Sequence, residues 1–247
     1  MKEVRTMEQI LKRNSVKQPF RALEKRVRNL IYKPFVEWYT RSESSYKYRD
    51  ILVKVKPGVF HPRFFSSTGF LLEFFEFINF NRKKVLEIGS GSGLISIFTA
   101  SEGANVTAID ICPLAVENTN LNVLSNQDKI SQCGGNVTVI QSNLFENVPA
   151  GIFDLLILNP PFYQGDVKKP GDHAWYAGKD MEYFEELFSK CRNYMGRDSE
   201  MYMVLSEDCN FNKIFEIAKK NAVSIKAVAV KQFITENLYI FKITIST

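Results

Sequence analysis

The chain has 247 residues, of which 45% are hydrophobic and 24% charged, a composition typical of a folded globular protein rather than a disordered one. No apolar run reaches the roughly 18 residues of a membrane span, and the first residues lack the apolar block of a secretory signal. Four separated cysteines and two histidines form no metal-binding or disulfide pattern, so we expect reduced thiols, no metal and a cytoplasmic protein.

The net charge of +5 is unevenly distributed along the chain. Residues 1–60 contain 15 lysines and arginines against 6 acidic residues, whereas the remainder is acidic on balance. Apolar residues recur at helical spacing among these basic residues, which predicts a basic, mainly helical extension. Its polar face is open to three interpretations: a solvated surface, a nucleic-acid-binding surface or a surface for anionic membranes.

A strand and a helix are predicted after this extension. Apolar residues alternate between Ile51 and Val55, as in a short strand, and the following Pro-Gly pair turns the chain. From Thr68 to Ile78, apolar residues at helical spacing predict an amphipathic helix that packs on a sheet.

The stretch KVLEIGSGSGL, residues 84–94, is the most informative in the chain. A buried strand ends in three glycines at alternate positions, Gly89, Gly91 and Gly93, before a helix begins. Glycine is needed where the backbone takes a positive φ or where a ligand approaches without a Cβ in the way. The spacing differs from the G-x-G-x-x-G of dinucleotide sites. A strand, a glycine turn and a helix N-terminus in succession predict a ligand at the carboxyl edge of a parallel sheet.

The motif E-x-G-x-G-x-G, which begins at Glu87, resembles the first motif of the class I S-adenosylmethionine (SAM) dependent methyltransferases. The resemblance implies that the glycines pass close to the methionine part of SAM, and that Glu87 contacts its ammonium group directly or through water. The preceding VF-x-P-R … T-x-x-L segment resembles the entry to the catalytic domain in the methyltransferase small-domain group, which includes HemK-type glutamine methyltransferases. Pro62, Arg63 and Thr68 are therefore candidates for lining the mouth of the site, with a purely structural role as the alternative.

Polar residues end the next two predicted strands. Asp110 ends NVTAID, and its carboxylate is placed to accept both hydroxyl hydrogens of a ribose, although the same residue could instead cap the following helix. Asn143 ends NVTVIQSN, where family members commonly have an aspartate that accepts a hydrogen bond from the adenine amino group of SAM. An asparagine oxygen can accept the same bond with less electrostatic help, so the resemblance implies that Asn143 contacts the adenine.

The fourth predicted strand of the domain, residues 153–158, is followed by Asn159, Pro160, Pro161 and Phe162. A proline pair cannot continue a central strand, so the backbone leaves the ladder here, which by itself is also compatible with a plain strand end. Following the glycine motif, N-P-P-[FYW] resembles the catalytic motif of methyltransferases that modify an amino group on a planar carbon. Such groups are adenine or guanine amines in nucleic acid and the glutamine amide of a protein.

The chemistry of such amines explains the residue types in the motif. A conjugated amine has a delocalised lone pair, and hydrogen bonds from its two hydrogens to the Asn159 side-chain oxygen and the Pro160 carbonyl would localise that pair toward the methyl group. Phe162 would stack on the planar acceptor. Further candidate acceptor contacts are Arg63, Pro161 and, in the long polar loop after the motif, Tyr163, His173, Trp175 and Tyr176.

The chain ends with two strands joined by a short link, which predicts a β-hairpin. This ending resembles the seven-stranded methyltransferase sheet, whose last strand inserts antiparallel. We therefore predict two regions. A basic, mainly helical extension covers residues 1–49, and a doubly wound, Rossmann-like α/β methyltransferase domain covers residues 50–247.

The leading functional hypothesis is a SAM-dependent N-methyltransferase that modifies adenine or guanine in RNA or DNA. The basic extension and the aromatic residue of the motif support it, and the target base would be unpaired or flipped out of its stack. The alternative enzyme is a glutamine-amide N-methyltransferase that acts on a protein such as a translation factor. A third hypothesis is a SAM- or RNA-binding module without catalysis, against which the intact N-P-P-F motif argues.

Overall fold

The structure, a computed structural model, describes residues 40–161, 164–166, 176–233 and 236–245. The strands in these ranges are β1 Ser44–Tyr48, β2 Ile51–Val55, β3 Lys84–Ile88, β4 Asn105–Asp110, β5 Asn136–Gln141, β6 Phe153–Leu158, β7 Met195–Ser206, β8 Val223–Gln232 and β9 Asn237–Ile245. The helices are α1 Ser66–Phe75, α2 Leu94–Ser101, α3 Pro113–Ser125, α4 Gln127–Gln132, α5 Glu182–Lys190 and α6 Phe211–Lys220, with a 3₁₀ helix Cys191–Asn193 after α5.

A seven-stranded sheet with the order β5-β4-β3-β6-β7-β9-β8 forms the centre of the fold. Strands β5, β4, β3, β6 and β7 are parallel, and β9 inserts antiparallel between β7 and β8. This arrangement confirms the predicted doubly wound α/β sheet with its C-terminal antiparallel hairpin. The strand order reverses between β3 and β6, and in sheets of this type ligands bind at the carboxyl ends beside that reversal.

The two faces of the sheet are covered by separate hydrophobic clusters, because successive residues of a strand point to opposite faces. On β6, Leu156 and Leu158 face the cluster that contains α5 and α6, whereas Leu155 and Ile157 face the cluster that contains α1 and α2. Continuing this alternation places Asn159 on the face covered by α1 and α2. The packing of β6 between the two clusters therefore fixes the face of the sheet on which Asn159 lies.

An antiparallel hairpin of β1 and β2 lies outside the main sheet. The sequence interpretation assigned residues 44–48 to the mainly helical extension and predicted no strand there. The free edge of β2 is satisfied by α3: Asn122 accepts the Lys54 N–H at 2.8 Å and donates to the Lys54 carbonyl at 2.7 Å, and Asn118 accepts the Lys56 N–H at 2.7 Å. The predicted boundary between residues 49 and 50 falls in the turn of this hairpin, and residues 1–39 of the extension lie outside the described residues.

One further local prediction differs from the structure. Helix α1 ends at Phe75 rather than near Ile78, and the chain then turns at Asn79, whose side chain accepts the N–H of Asn81 at 3.0 Å. Phe77 is consequently 90% exposed instead of packed on the sheet. Among the described residues, none of the helices has the length and hydropathy to cross a membrane.

Candidate active site

Three of the predicted site residues lie at one level of the carboxyl edge of the sheet. Ile88 on β3 is in register with Ile109 on β4 and with Leu158 on β6. The next residue along each strand is Gly89, Asp110 or Asn159, so these three residues end neighbouring strands at the same height. Adjacent strands are about 4.8 Å apart, so together the three residues span roughly 10 Å of the edge. The sheet therefore brings together residues that are far apart in the sequence.

The glycine turn after β3 has the backbone conformation for which glycine was predicted. Gly89, Gly91 and Gly93 have φ values of 81°, 54° and 77°, in the left-handed region that other residues rarely adopt. A Cβ on Gly89 would meet nothing within 4 Å, whereas a Cβ on Gly93 would lie 2.8 Å from Cγ2 of Thr119 on α3. Gly89 therefore leaves open space at the sheet edge, while Gly93 permits α3 to pack against the turn.

Glu87 is a buried carboxyl group directly before the glycine turn. Burial raises its pKa to about 8, although a hydrogen bond from the Ser96 hydroxyl on α2 opposes the shift. Within the described part of the chain, no lysine or arginine forms an ion pair with it. A buried acid without a cationic partner is chemically suited to receive a cation from a ligand.

The Asp110 carboxylate is held by the backbone on both sides. Its Oδ2 accepts the Gly91 N–H at 2.9 Å and its Oδ1 accepts the Cys112 N–H at 2.9 Å. The bond to Cys112 closes the turn into α3, and the bond to Gly91 fixes the glycine turn, while ribose binding by Asp110 stays a prediction. Burial raises the pKa of Asp110, and the N–H groups of Cys112, Gly91 and Ile111 oppose this shift. A carboxylate has about four acceptor positions, so these bonds leave room for a ligand hydroxyl.

Asn143 lies two residues beyond the end of β5, with its amide group oriented by a neighbour. Its Nδ2 donates to Oε1 of Glu146 at 3.1 Å, which leaves Oδ1 as the acceptor that an adenine amino group requires. The loop that carries it is fixed by Ser142, whose hydroxyl donates to the Leu144 carbonyl at 2.8 Å and accepts the Asn147 N–H at 2.9 Å. Asn143 is therefore presented at the same edge as Asp110 by a well-bonded loop.

Asn159 is the motif residue for which the structure gives the most detail. Its Nδ2 donates to the Ser67 hydroxyl at 3.0 Å and to the Thr68 hydroxyl at 3.4 Å, both in the first turn of α1. Pro160 and Pro161 are buried directly after it. The amide nitrogen is therefore directed at α1. The acceptor role of the Asn159 side-chain oxygen and the Pro160 carbonyl stays a prediction.

Of the remaining predicted acceptor contacts, some lie within the described residues and some outside them. Arg63 is exposed, and its backbone N–H donates to Nδ1 of the buried His61 at 3.1 Å; no described contact brings its side chain to the motif. Phe162, Tyr163, His173 and Trp175 lie outside the described residues. Tyr176 is described and partly exposed, at the base of the loop, where Gly165 and Gly178 form an isolated bridge.

Some contributing residues were not identified from the sequence. Ser67 binds the Asn159 amide, Ser96 binds Glu87, and the Thr119 hydroxyl donates to the Gly91 carbonyl at 3.1 Å. Each is a small hydroxyl residue within a helix, and the contacts join positions 92, 9 and 28 residues apart. Only Thr68 had been a candidate, through the T-x-x-L segment. Across the described ranges, no group of three or more potential metal ligands is present.

Comparison with known families agrees with this geometry. The model of the methyltransferase small domain matches residues 50–232, which is most of the chain. The chain belongs to the methyltransferase small domain family. It is accordingly a SAM-dependent methyltransferase, as predicted from the glycine motif and N-P-P-F.

Two curated relatives of this methyltransferase differ in the acceptor that their names give. One, from Methanocaldococcus jannaschii, has protein N5-glutamine methylation as its assigned activity; it is 30% identical over 70% of this chain and 87% of its own length. The other is the tRNA1(Val) (adenine(37)-N6)-methyltransferase of Aliivibrio salmonicida, which is 28% identical over 57% of this chain and 58% of its own length.

The fold also matches solved structures. The Mtq2–Trm112 complex of E. cuniculi, described as responsible for methylating the eRF1 translation termination factor, contains a chain that aligns with a TM-score of 0.58 and 18% identity. The match covers 76% of this chain and 99% of that one. At this identity the likeness establishes the shared fold.

Proposed function

We propose that this methyltransferase transfers a methyl group from SAM to the exocyclic amino group of adenine or guanine in RNA. The observation that carries the proposal is the amide of Asn159, fixed at the end of β6 with its nitrogen bonded to α1 and its oxygen available. An oxygen acceptor beside the Pro160 carbonyl fits the two hydrogens of a planar amine. The pair of acceptors favours an amine over a hydroxyl or a thiol, which has one hydrogen to donate.

The residues at the sheet edge fit SAM. Glu87 provides a buried carboxyl for the ammonium group, and the open space at Gly89 lets the methionine part approach the backbone. Gly91 and Gly93 shape this turn, Asp110 retains acceptor positions for the two ribose hydroxyls, and Asn143 offers Oδ1 to the adenine amino group. When bound, SAM supplies a methyl group on a positively charged sulfur.

The chain's own residues then act on the amine. As the lone pair of this nitrogen bonds to the methyl carbon, the carbon–sulfur electron pair would be left on SAM, so positive charge would develop on the nitrogen. Hydrogen bonds to Asn159 Oδ1 and the Pro160 carbonyl strengthen as this charge develops, so they stabilise the transition state more than the ground state. The methylated amine then loses a proton to solvent. Phe162 would stack on the base, and Pro161, Tyr163, Trp175 and Arg63 remain proposed acceptor contacts.

RNA is the proposed acceptor because of the charge distribution and the relatives. Residues 1–60 carry 15 basic and 6 acidic residues, which would attract a polyanion, and the A. salmonicida relative is named for a tRNA adenine. Part of this charge is neutralised within the fold, since Arg49, Lys54 and Lys56 pair with Glu76, Glu43 and Glu117. The electrostatic attraction would therefore come mainly from residues 1–39.

A glutamine amide of a protein is the second candidate. The M. jannaschii relative aligns over 87% of its length, against 58% for the tRNA enzyme, and a glutamine amide also carries two hydrogens on a nitrogen that is bonded to a planar carbon. The same two acceptors would serve it without change.

The test is incubation with radiolabelled SAM and separate RNA, DNA and protein fractions, followed by mass spectrometry of the labelled product. We expect label in RNA, with N6-methyladenosine or N2-methylguanosine as the product. Label confined to N5-methylglutamine in protein would contradict the RNA proposal and support the second candidate. Label confined to DNA would keep the amino-group chemistry but exclude RNA as the acceptor.

A further inference from the structure

The side-chain amide of Asn159 has a defined orientation, with its nitrogen directed at two hydroxyl groups on α1. Ser67 and Thr68 are 2% and 6% exposed, and their oxygens lie 3.0 Å and 3.4 Å from Asn159 Nδ2. Both residues belong to α1, and they lie about 90 residues before Asn159 in the sequence. These hydroxyls accept the two hydrogens of the amide and occupy its nitrogen end.

The orientation matters because an asparagine amide has nearly the same shape after a 180° rotation. In one orientation the oxygen faces the cleft and can accept a hydrogen from the amine. In the other, the NH₂ group faces the hydrogens of the amine, so neither group can donate to the other. The orientation of Asn159 therefore decides whether the proposed interaction with the amine forms.

The two prolines after Asn159 act on the opposite end of the amide. An asparagine oxygen often accepts the backbone N–H two residues further along the chain, which would consume the acceptor. Here that position is Pro161, and Pro160 precedes it, so neither offers an N–H. The hydroxyls of α1 occupy the nitrogen, and the prolines leave the oxygen unoccupied by local backbone.

We propose that Ser67 and Thr68 are positioning residues for methyl transfer, which bind the Asn159 amide and hold it in place beside the acceptor amine. This inference rests on the proposed function only in that an amine binds to Asn159, and it applies equally to a base or a glutamine amide. Neither hydroxyl contacts the acceptor itself. Removing them would lower the rate of transfer through Asn159 and leave the SAM contacts on β3, β4 and β5 unchanged.

A purely structural role of the hydroxyls predicts a different outcome. Helix α1 is anchored in the core by Phe70, Leu71, Leu72 and Phe75, so its packing does not depend on the two hydroxyls. The chain also provides a matched control, because Ser66 is exposed and lies in the same helical turn. Thr68→Val keeps the side-chain shape and removes the hydroxyl, whereas Thr68→Ser keeps the hydroxyl.

The experiment measures single-turnover methyl transfer from radiolabelled SAM to whichever RNA, DNA or protein fraction the wild-type enzyme labels, together with the SAM dissociation constant. For Ser67→Ala we expect a rate loss of about fivefold, and for Ser67→Ala with Thr68→Val about 10- to 30-fold, since each lost neutral hydrogen bond changes a rate by a factor of this order. The SAM dissociation constant should stay within about twofold, and Ser66→Ala and Thr68→Ser should transfer at nearly the wild-type rate.

The positioning role is overturned if the double variant transfers at the wild-type rate, or if its rate and its SAM affinity fall by the same factor. If the double variant fails to fold, Thr68→Val and Thr68→Ser decide the question, and equal rates for these two overturn the role of Thr68. The proposed function fails separately, if Asn159→Ala retains full activity or if the labelled fraction contains no N-methylated product.

Discussion

Gly93 is predicted to be the glycine whose replacement costs the most stability in the glycine turn. Its φ is 77°, and a left-handed conformation costs an L-residue about 1–2 kcal/mol. An added Cβ would also lie 2.8 Å from Thr119 Cγ2 and 3.2 Å from Thr119 Cα, closer than carbon atoms pack. Overpacking of this kind costs about 1–3 kcal/mol. Gly93→Ala should therefore lower the free energy of unfolding by about 2–5 kcal/mol.

Gly89→Ala is the matched control for this prediction. Its φ is 81°, so the backbone strain is the same, but a Cβ there would meet nothing within 4 Å. We expect a loss of about 1–2 kcal/mol in stability together with weakened SAM binding, because the new methyl group enters the open space at the sheet edge. The difference between the two variants isolates the contact with Thr119.

Urea denaturation of the two alanine variants, each with and without Thr119→Ser, tests the reasoning. Serine removes Cγ2 but keeps the hydroxyl that donates to the Gly91 carbonyl. Thr119→Ser should recover about 1 kcal/mol or more in the Gly93→Ala background and none in the Gly89→Ala background. Equal destabilisation by the two alanine variants, or no energetic coupling between positions 93 and 119, would refute the account.

Two further predictions concern buried polar groups. The pKa of Glu87 is raised from 4.5 to about 8, so the folded state keeps a proton that the unfolded state has released, and the free energy of unfolding should fall as the pH rises between these values. In Glu87→Gln, denaturation curves at about pH 5.5 and about pH 7.5 should show a smaller change; an unchanged pH dependence would contradict the shift. Asn122→Ala should cost about 2–4 kcal/mol, since it leaves the Lys54 N–H and the Ser92 carbonyl without their partner and removes one of the two amide donors to the Lys54 carbonyl. The exposed Asn120→Ala on the same helix should cost less than about 0.5 kcal/mol, and equal losses would argue against this role of Asn122.

Much of the fold was predictable because local signals and the sheet agree. A helix follows the glycine turn as predicted, the apolar run Phe153–Leu158 forms the buried strand β6, and the final two strands form a hairpin. The strand Ser44–Tyr48 was missed because its structure depends on pairing with β2, whose other edge is bonded to Asn118 and Asn122 on α3. Those residues are more than 60 positions away and show no pattern that indicates a strand partner.

The candidate site was predictable where one short motif supplies the residue, and not where two distant elements meet. The sequence predicted Glu87, the glycines and Asn159 as site residues, and the sheet register brings their strands to one edge. It did not identify Ser67, because a serine in a helix carries no signal that a strand 92 residues later will end beside it. Contacts of this kind follow from tertiary packing rather than from periodicity.

The central claim is that Asn159 binds the amine from which the methylated product forms. The most direct measurement is the single-turnover rate of Asn159→Ala on the fraction labelled by the wild type, with the SAM dissociation constant determined in parallel. Because its hydrogen bond strengthens in the transition state, we predict a loss of about 100-fold or more in rate and a change of less than about twofold in SAM affinity. An Asn159→Ala enzyme that binds SAM and transfers methyl groups at the wild-type rate would contradict the claim.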